Sequence, residues 1–330
     1  MASLSGALML GLAGLGAVPA RAGQQIVTYS AVENIPAPPA TNFAGSSGGD
    51  GWGLAFTPDA VYNVFHHSPT LQVACHLQAD ASSCAGYPKT ITDPVSGDDF
   101  SSAAMPGLWV NPATQHLYVF ATEYDPTAPG PQPGTAGVVC LDTTQPASDA
   151  NPFCGFTTLS GADASPLSAD FGISGVSDPV IAGHRWYAFN YVQGQAPGSG
   201  DGVNQLLCFD LSTLAGCSAQ PYTVDLGPSG TNSTISTPEP GIAALGNEIV
   251  VPDVTSTESS GVVGCLNVST GSSCGAGFPI TLSTVSAPGS NDYPTNYGAP
   301  FPSLSAAGQV NGFCLTDYDA TCYSLTGASL

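Results

Sequence analysis

The chain has 330 residues, 42% of them hydrophobic, with 40 glycines, 29 prolines, three basic and 24 acidic residues, for a formal net charge of −21. With Arg21, Lys89 and Arg185 as its only strong cations, it cannot assemble a basic patch to neutralise phosphates. That excludes a nucleic-acid role and disfavours anionic membrane surfaces, while cations, neutral glycans and basic protein partners stay open.

Residues 1–22 are apolar and rich in small side chains, ending in Pro19-Ala20-Arg21-Ala22 after Leu8-Met9-Leu10-Gly11-Leu12. An Ala-x-Ala ending after such a run predicts a signal peptide, with a mature N-terminal helix as the alternative. No other run is long enough for a membrane-spanning helix. Residues 23–52 read as one exposed strand around Ile26-Val27-Thr28-Tyr29, then a Pro/Ala/Asn/Gly linker. That strand is a candidate for pairing with an open sheet edge of a neighbouring subunit, which would make a homo-oligomer.

From residue 53 to 330 the sequence falls into repeating units of four short strands. A first apolar strand recurs at Gly53-Leu54-Ala55-Phe56, Gly107-Leu108-Trp109-Val110, Asp178-Pro179-Val180-Ile181 and Gly241-Ile242-Ala243-Ala244. A second follows each after a tight turn, at Val61–Phe65, Leu117–Phe120, Trp186–Phe189 and Glu248–Val251. A variable loop leads to a third strand carrying a cysteine, and a fourth follows a second cysteine, as in Tyr87–Ile91 and Phe278–Leu282. No helical periodicity interrupts the pattern. The fold class is therefore all-β, a β-propeller of about five four-stranded blades, with a pair of disulfide-bearing sandwiches as the alternative. The fifth unit is irregular: Pro302–Ser305 reads as its first strand and Gly312–Leu315 as its third, with too little chain between them for a second. Either that blade is incomplete, or the Ile26–Tyr29 strand joins it and closes the ring, or the chain is truncated at Leu330.

All ten cysteines fall into local pairs: Cys75–Cys84, Cys140–Cys154, Cys208–Cys217, Cys265–Cys274 and Cys314–Cys322. Cysteines facing each other on adjacent antiparallel strands lie within bridging distance. Each closed loop of this size contributes about 2–3 kcal/mol if the native geometry is unstrained. An even, fully paired set of cysteines implies an oxidising compartment, so the protein is expected to be secreted, extracellular or at the cell surface. Short CxxC spacings, which a metal or redox site would need, do not occur.

In such a ring, the fourth-to-first connections and second-to-third loops share one rim. This rim collects Trp52, His66, His67, Glu123, Tyr124, Asp125, Asp178, Tyr191, Glu239, Asp253 and Tyr293. Its carboxylates and carbonyls suit Ca²⁺, and its aromatic rings suit stacking against sugars. The alternative is that they are polar turn residues on an acidic surface. His66 and His67 are adjacent, so in a strand they point to opposite faces and cannot readily share one metal. His184-Arg185-Trp186 falls on the other rim and reads as a local salt bridge or stacking contact. No nucleophile elbow, zinc-protease, phosphate-loop or dinucleotide motif is present. Asp178 and Glu239 are the best-placed pair for glycoside hydrolysis. Asn232-Ser233-Thr234 and Asn267-Val268-Ser269 match the N-glycosylation pattern.

The unit Cys265-Leu266-Asn267-Val268-Ser269-Thr270 to Cys274, followed by Phe278-Pro279, resembles repeats in secreted bacterial β-propeller proteins of the cell surface. The segment Asn111-Pro112-Ala113-Thr114-Gln115-His116-Leu117-Tyr118-Val119 is similar, more distantly, to the YVTN/NHL-like propeller group. The resemblance covers about residues 50–325 and concerns architecture; no catalytic motif travels with it. It implies a non-catalytic binding or assembly module; the rim residues add Ca²⁺ as the one candidate cofactor, and glycans or other protein subunits are the expected partners. The reading from a different class is a glycan-hydrolysing enzyme using rim carboxylates.

Overall fold

Short apolar runs separated by glycine, proline and Asx turns fold into antiparallel strands, and no helix occurs among the described residues. The computed structural model describes residues 53–67, 70–101, 108–128, 132–144, 151–162, 166–167, 174–176, 179–192, 205–226, 242–254, 261–281, 300–305, 309–316 and 320–330. All lie in Pro36–Leu330, one of two compact units of the chain. The expected signal peptide (1–22), and the strand and linker over 23–52, lie outside the described residues.

Sheet 1 is a meander of β1 (Gly53–Phe56), β2 (Ala60–His67), β3 (Thr70–Leu77) and β4 (Lys89–Ile91). The chain continues through β5 (Asp99–Ser101), β6 (Leu108–Val110), β7 (Leu117–Tyr124), β8 (Gln132–Pro133), β9 (Thr135–Leu141), β10 (Phe153–Thr158) and β11 (Pro166–Leu167). Sheet 2 has the order β10-β9-β7-β5, with β6 also on β7, while β8 and β11 pair separately. Sheet 3 comprises β12 (Ser174–Val176), β13 (Val180–Ala182), β14 (Arg185–Val192), β15 (Gln205–Asp210), β16 (Ala215–Gly216) and β17 (Tyr222–Thr223). Sheet 4 comprises β18 (Ala243–Leu245), β19 (Glu248–Val254), β20 (Gly261–Asn267), β21 (Ser272–Ser273) and β22 (Ile280–Thr281). Sheet 5 is β23 (Phe301–Leu304), β24 (Val310–Thr316) and β25 (Ala320–Ser324).

The register repeats from sheet to sheet. In sheets 1–4 the first cysteine of the pair faces Tyr62, Tyr118, Tyr187 or Val250 on the second strand. All five expected disulfides are present. In sheets 1, 3 and 4 the second cysteine donates its amide to the first one's carbonyl, and the Cα atoms are 5.3–5.4 Å apart. Cys314 and Cys322 face each other directly at 3.9 Å.

Successive side chains of each second strand turn to opposite neighbours, as the period of two requires. On β7, Leu117 and Val119 join sheet 1 around Val64, Leu71 and Ile91. Tyr118 and Phe120 join sheet 3 around Trp186 and Phe209, and the Phe120 and Trp186 rings lie 4.4 Å apart. On β14, Tyr187 and Phe189 join sheet 4 at Ile249 and Val251. On β19, Val250 joins sheet 5 at Phe313 and Leu315. Each inner sheet is thus buried on both faces, which is why these strands read as nearly continuous apolar runs. First strands also meet: β1 touches β6 and β13 touches β18, while β18 touches β23 of sheet 5.

Two expectations need correction. Phe301-Pro302-Ser303-Leu304 pairs directly with β24 and opposes Cys314, the position held elsewhere by the second strand. The link between them is too short to hold another strand, so β23 takes the second-strand register and sheet 5 has three strands among the described residues. The sequence reading also missed β5, which adds a further strand to the far end of β7.

Candidate functional site

Two ends of the sheets carry chemistry. At one end lie the C-termini of the second strands, where sequence placed the variable rim. His66 and His67 are the last residues of β2, paired with Leu71 and Thr70. Glu123 and Tyr124 end β7, and Asp125 follows. Tyr191 lies near the end of β14, opposite Gly175, and Asp253 near the end of β19, opposite Val262. Trp52, Asp178, Glu239 and Tyr293 lie outside the described residues.

The best-defined part of this end is an acidic corner on sheet 2. Phe100 is fully buried and packs on Phe153 and Phe156, with ring centroids 5.5 and 5.4 Å away. That anchor holds β5 against β7, with Asp99 opposite Tyr124 and Phe100 opposite Glu123. Directly opposed residues share a face, so Glu123 lies on the side of the buried Phe100 and Asp99 on that of Tyr124. The Asp98 charge acts on both carboxyls.

Burial raises the Glu123 carboxyl above its ordinary value, and the charges of Asp98 and Asp93 push it further. Asp99 is raised by burial and then by Asp98. The Tyr124 phenol is raised by burial and then by Asp99. Asp125 is lowered instead, because its Oδ1 accepts hydrogen bonds from the Thr127 hydroxyl (2.7 Å) and amide (2.8 Å). Sequence reasoning found Glu123, Tyr124 and Asp125 but missed Asp93, Asp98 and Asp99. The signal for them was the Asp93-Pro94-Val95-Ser96-Gly97-Asp98-Asp99 turn, closed by the Asp93 amide on the Asp98 carbonyl at 2.8 Å. Gly97 takes φ +81° there, a region open to glycine without strain. Among the described residues, no three of these carboxylates bring oxygens close enough together to hold one cation. The corner as it stands is an array of hydrogen-bond acceptors beside a phenol ring.

The opposite end carries the turns and cysteine hairpins. The motif Cys-x-Asp/Asn-x-Ser/Thr makes the same Asx turn three times. Asp142, Asp210 and Asn267 each accept, through Oδ1, the amide and hydroxyl of Thr144, Ser212 and Ser269. Asp210 is lowered chiefly by the Ser212 hydroxyl. Histidines face two of these carboxylates: His116 Nε2 is 3.5 Å from Asp142 and His184 Nε2 is 3.3 Å from Asp210. Burial raises the Tyr187 phenol, and the His184 contact to Asp210 is the local interaction that the His184-Arg185-Trp186 segment makes on this end. No helix among the described residues is long and apolar enough to cross a membrane.

No protein-family model matches the chain, and no curated protein sequence is similar to it. Solved structures do match its fold loosely. Hydrazine synthase of Kuenenia stuttgartiensis is 10% identical at TM-score 0.39, covering 84% of this chain and 57% of that one. The GH43 protein BlXynB of Bacillus licheniformis is 11% identical at TM-score 0.37, covering 82% and 48%. A GH43 endo-arabinanase of Bacillus licheniformis is 12% identical at TM-score 0.38, covering 85% and 92%. The chain spans about half the length of the first two.

Proposed function

We propose that the protein is a secreted, disulfide-stapled β-propeller of about five blades, acting as a non-catalytic extracellular binding module. The propeller reading is supported by four apolar cores that each join one sheet to the next, and by first strands that meet between sheets. The observation that carries the binding role is the end of β5 and β7, where Asp99 and Tyr124 share one face and Glu123 lies on the other. Acceptors and a phenol ring, partly withdrawn from water, sit on a strand pair pinned by Phe100. Such a corner suits a neutral polar ligand of the glycan class, with carboxylates accepting from hydroxyls and the ring stacking on the sugar. Ca²⁺ is the cation proposed for the same rim, recruited together with ligand oxygens. Partner subunits are proposed to dock through the Ile26–Tyr29 strand, giving a homo-oligomer.

A second reading is favoured by the raised carboxyls of Glu123 and Asp99, since a glycosidase needs an acid whose proton is retained. A glycan array run beside a hydrolase panel separates the two. The binding module gives array signals that Tyr124→Ala weakens about tenfold, with no turnover on any substrate. Turnover abolished by Glu123→Gln would instead establish the enzyme, and a blank in both assays would leave a purely structural scaffold.

A further inference from the structure

The turn-side end of sheet 2 holds a group that the rim reading leaves unused. Leu117 pairs with Leu141, so His116 and Asp142 are the next residues out on the two strands. His116 Nε2 is 3.5 Å from Asp142 Oδ1. Its other nitrogen, Nδ1, lies 3.7 Å from Cys140 Sγ and 3.8 Å from Cys154 Sγ. The nitrogen and both sulfurs fall within 4.8 Å of one another. With Zn–S bonds of about 2.3 Å and Zn–N bonds of about 2.0 Å, neighbouring tetrahedral ligands stand about 3.5 Å apart. His116 therefore already stands near ligand distance from both sulfurs. While the sulfurs are bonded to each other they offer no thiolate, and only reduction supplies one.

We propose that the Cys140–Cys154 bridge is the oxidised form of a Cys₂His site that takes up Zn²⁺ when the bridge is reduced. A dithiol reductant breaks the S–S bond, closes its own disulfide, and leaves two protein thiols. Zn²⁺ then binds both sulfurs and Nδ1 with release of the two thiol protons, and water fills the fourth position. Asp142, on the far nitrogen of the same ring, fixes its orientation, the usual place of a carboxylate behind a metal-bound histidine. Cys154 is exposed, so a reductant can reach it. The bridge closes a 14-residue separation, against nine in sheets 1, 3 and 4, and Cys154 falls at the register shift between Phe153 and Gly155 on β10.

Sheet 3 supplies an internal control. His184 also pairs with an aspartate, but there Arg185 opposes Asp210, placing the histidine one position further along. No close group of His184 with Cys208 and Cys217 results. In sheet 4, Glu248 lies beside Cys265 and Cys274. A hard carboxylate there is a poorer companion to two thiolates than an imidazole.

The test treats the intact oxidised protein with one equivalent of a phosphine in the presence of Zn²⁺. The phosphine takes oxygen from water as it cleaves the bridge and does not compete for the metal. Zinc retained after desalting is measured, and free thiols are alkylated and mapped by mass spectrometry. The proposal expects one Zn²⁺ per chain, with Cys140 and Cys154 shielded from alkylation. Affinity should fall about tenfold or more in His116→Gln and in Asp142→Asn, and stay unchanged in His184→Gln. Circular dichroism of the oxidised His116→Gln protein, which keeps every bridge, establishes that it is folded. Zinc uptake indifferent to His116→Gln, shielding at other cysteines only, or no uptake by the parent protein would each overturn the proposal.

Discussion

Glu123 shows how a single side chain reports on its corner. Its carboxyl is raised above the ordinary 4.5 by burial and by two neighbouring aspartates. The folded state therefore holds the proton over a pH range in which the unfolded chain has released it. Stability from this group is present below the raised value and declines as pH rises through it. Glu123→Gln should accordingly stabilise the protein at pH 7, by no more than about 0.5 kcal/mol because the site is solvent-screened. The gain should vanish near pH 4, as urea titrations at the two pH values will show. Asp210 has the opposite sign. Its lowered value stabilises the fold above the ordinary carboxylate range and is lost as pH falls, and Ser212→Ala should shrink that acid-side loss.

The hairpin carrying each bridge is the unit of construction. Replacing Cys265 and Cys274 together by serine should cost about 2–3 kcal/mol, read as a lower urea midpoint. Close packing between strands gives a second handle. A β-carbon at Gly137 would meet the Phe156 ring and the Thr157 carbonyl, so Gly137→Ala should cost about 1–3 kcal/mol through overpacking. These hairpins were legible in the sequence because their cysteines, Asx turns and apolar runs are local, and local spacing fixes register. The placement of β5 was not, since Asp98-Asp99 ahead of Phe100 looks like a loop until Phe100 finds Phe153 and Phe156. Nor was the register of β23, because a four-residue apolar run does not say which neighbour it will pair with. The candidate site was half legible for the same reason: Glu123 and Tyr124 sit on a strand, whereas Asp93 and Asp98 reach it only through tertiary packing.

At the scale of the whole molecule, cohesion runs from each sheet to the next. Sheets 2, 3 and 4 each share a core with two neighbours, whereas sheet 5 shares one, with sheet 4, among the described residues. Leu304 and Val310 on its strands remain 58% and 40% exposed. Hydrogen exchange should therefore release the β23–β25 amides before those of β7, β14 and β19, whose protection should approach the global value. Uniform protection across all sheets would mean that sheet 5 is held by contacts beyond its core with sheet 4. The bridges have a consequence for how such a chain is made. None joins residues more than 14 positions apart, so each can close as soon as its own hairpin emerges, without waiting for sequence still to come. Oxidation can then keep pace with delivery of the chain, N-terminus first. A mispaired intermediate would have to skip a partner already at hand, and a nascent chain stopped at residue 281 should carry its first four bridges correctly formed.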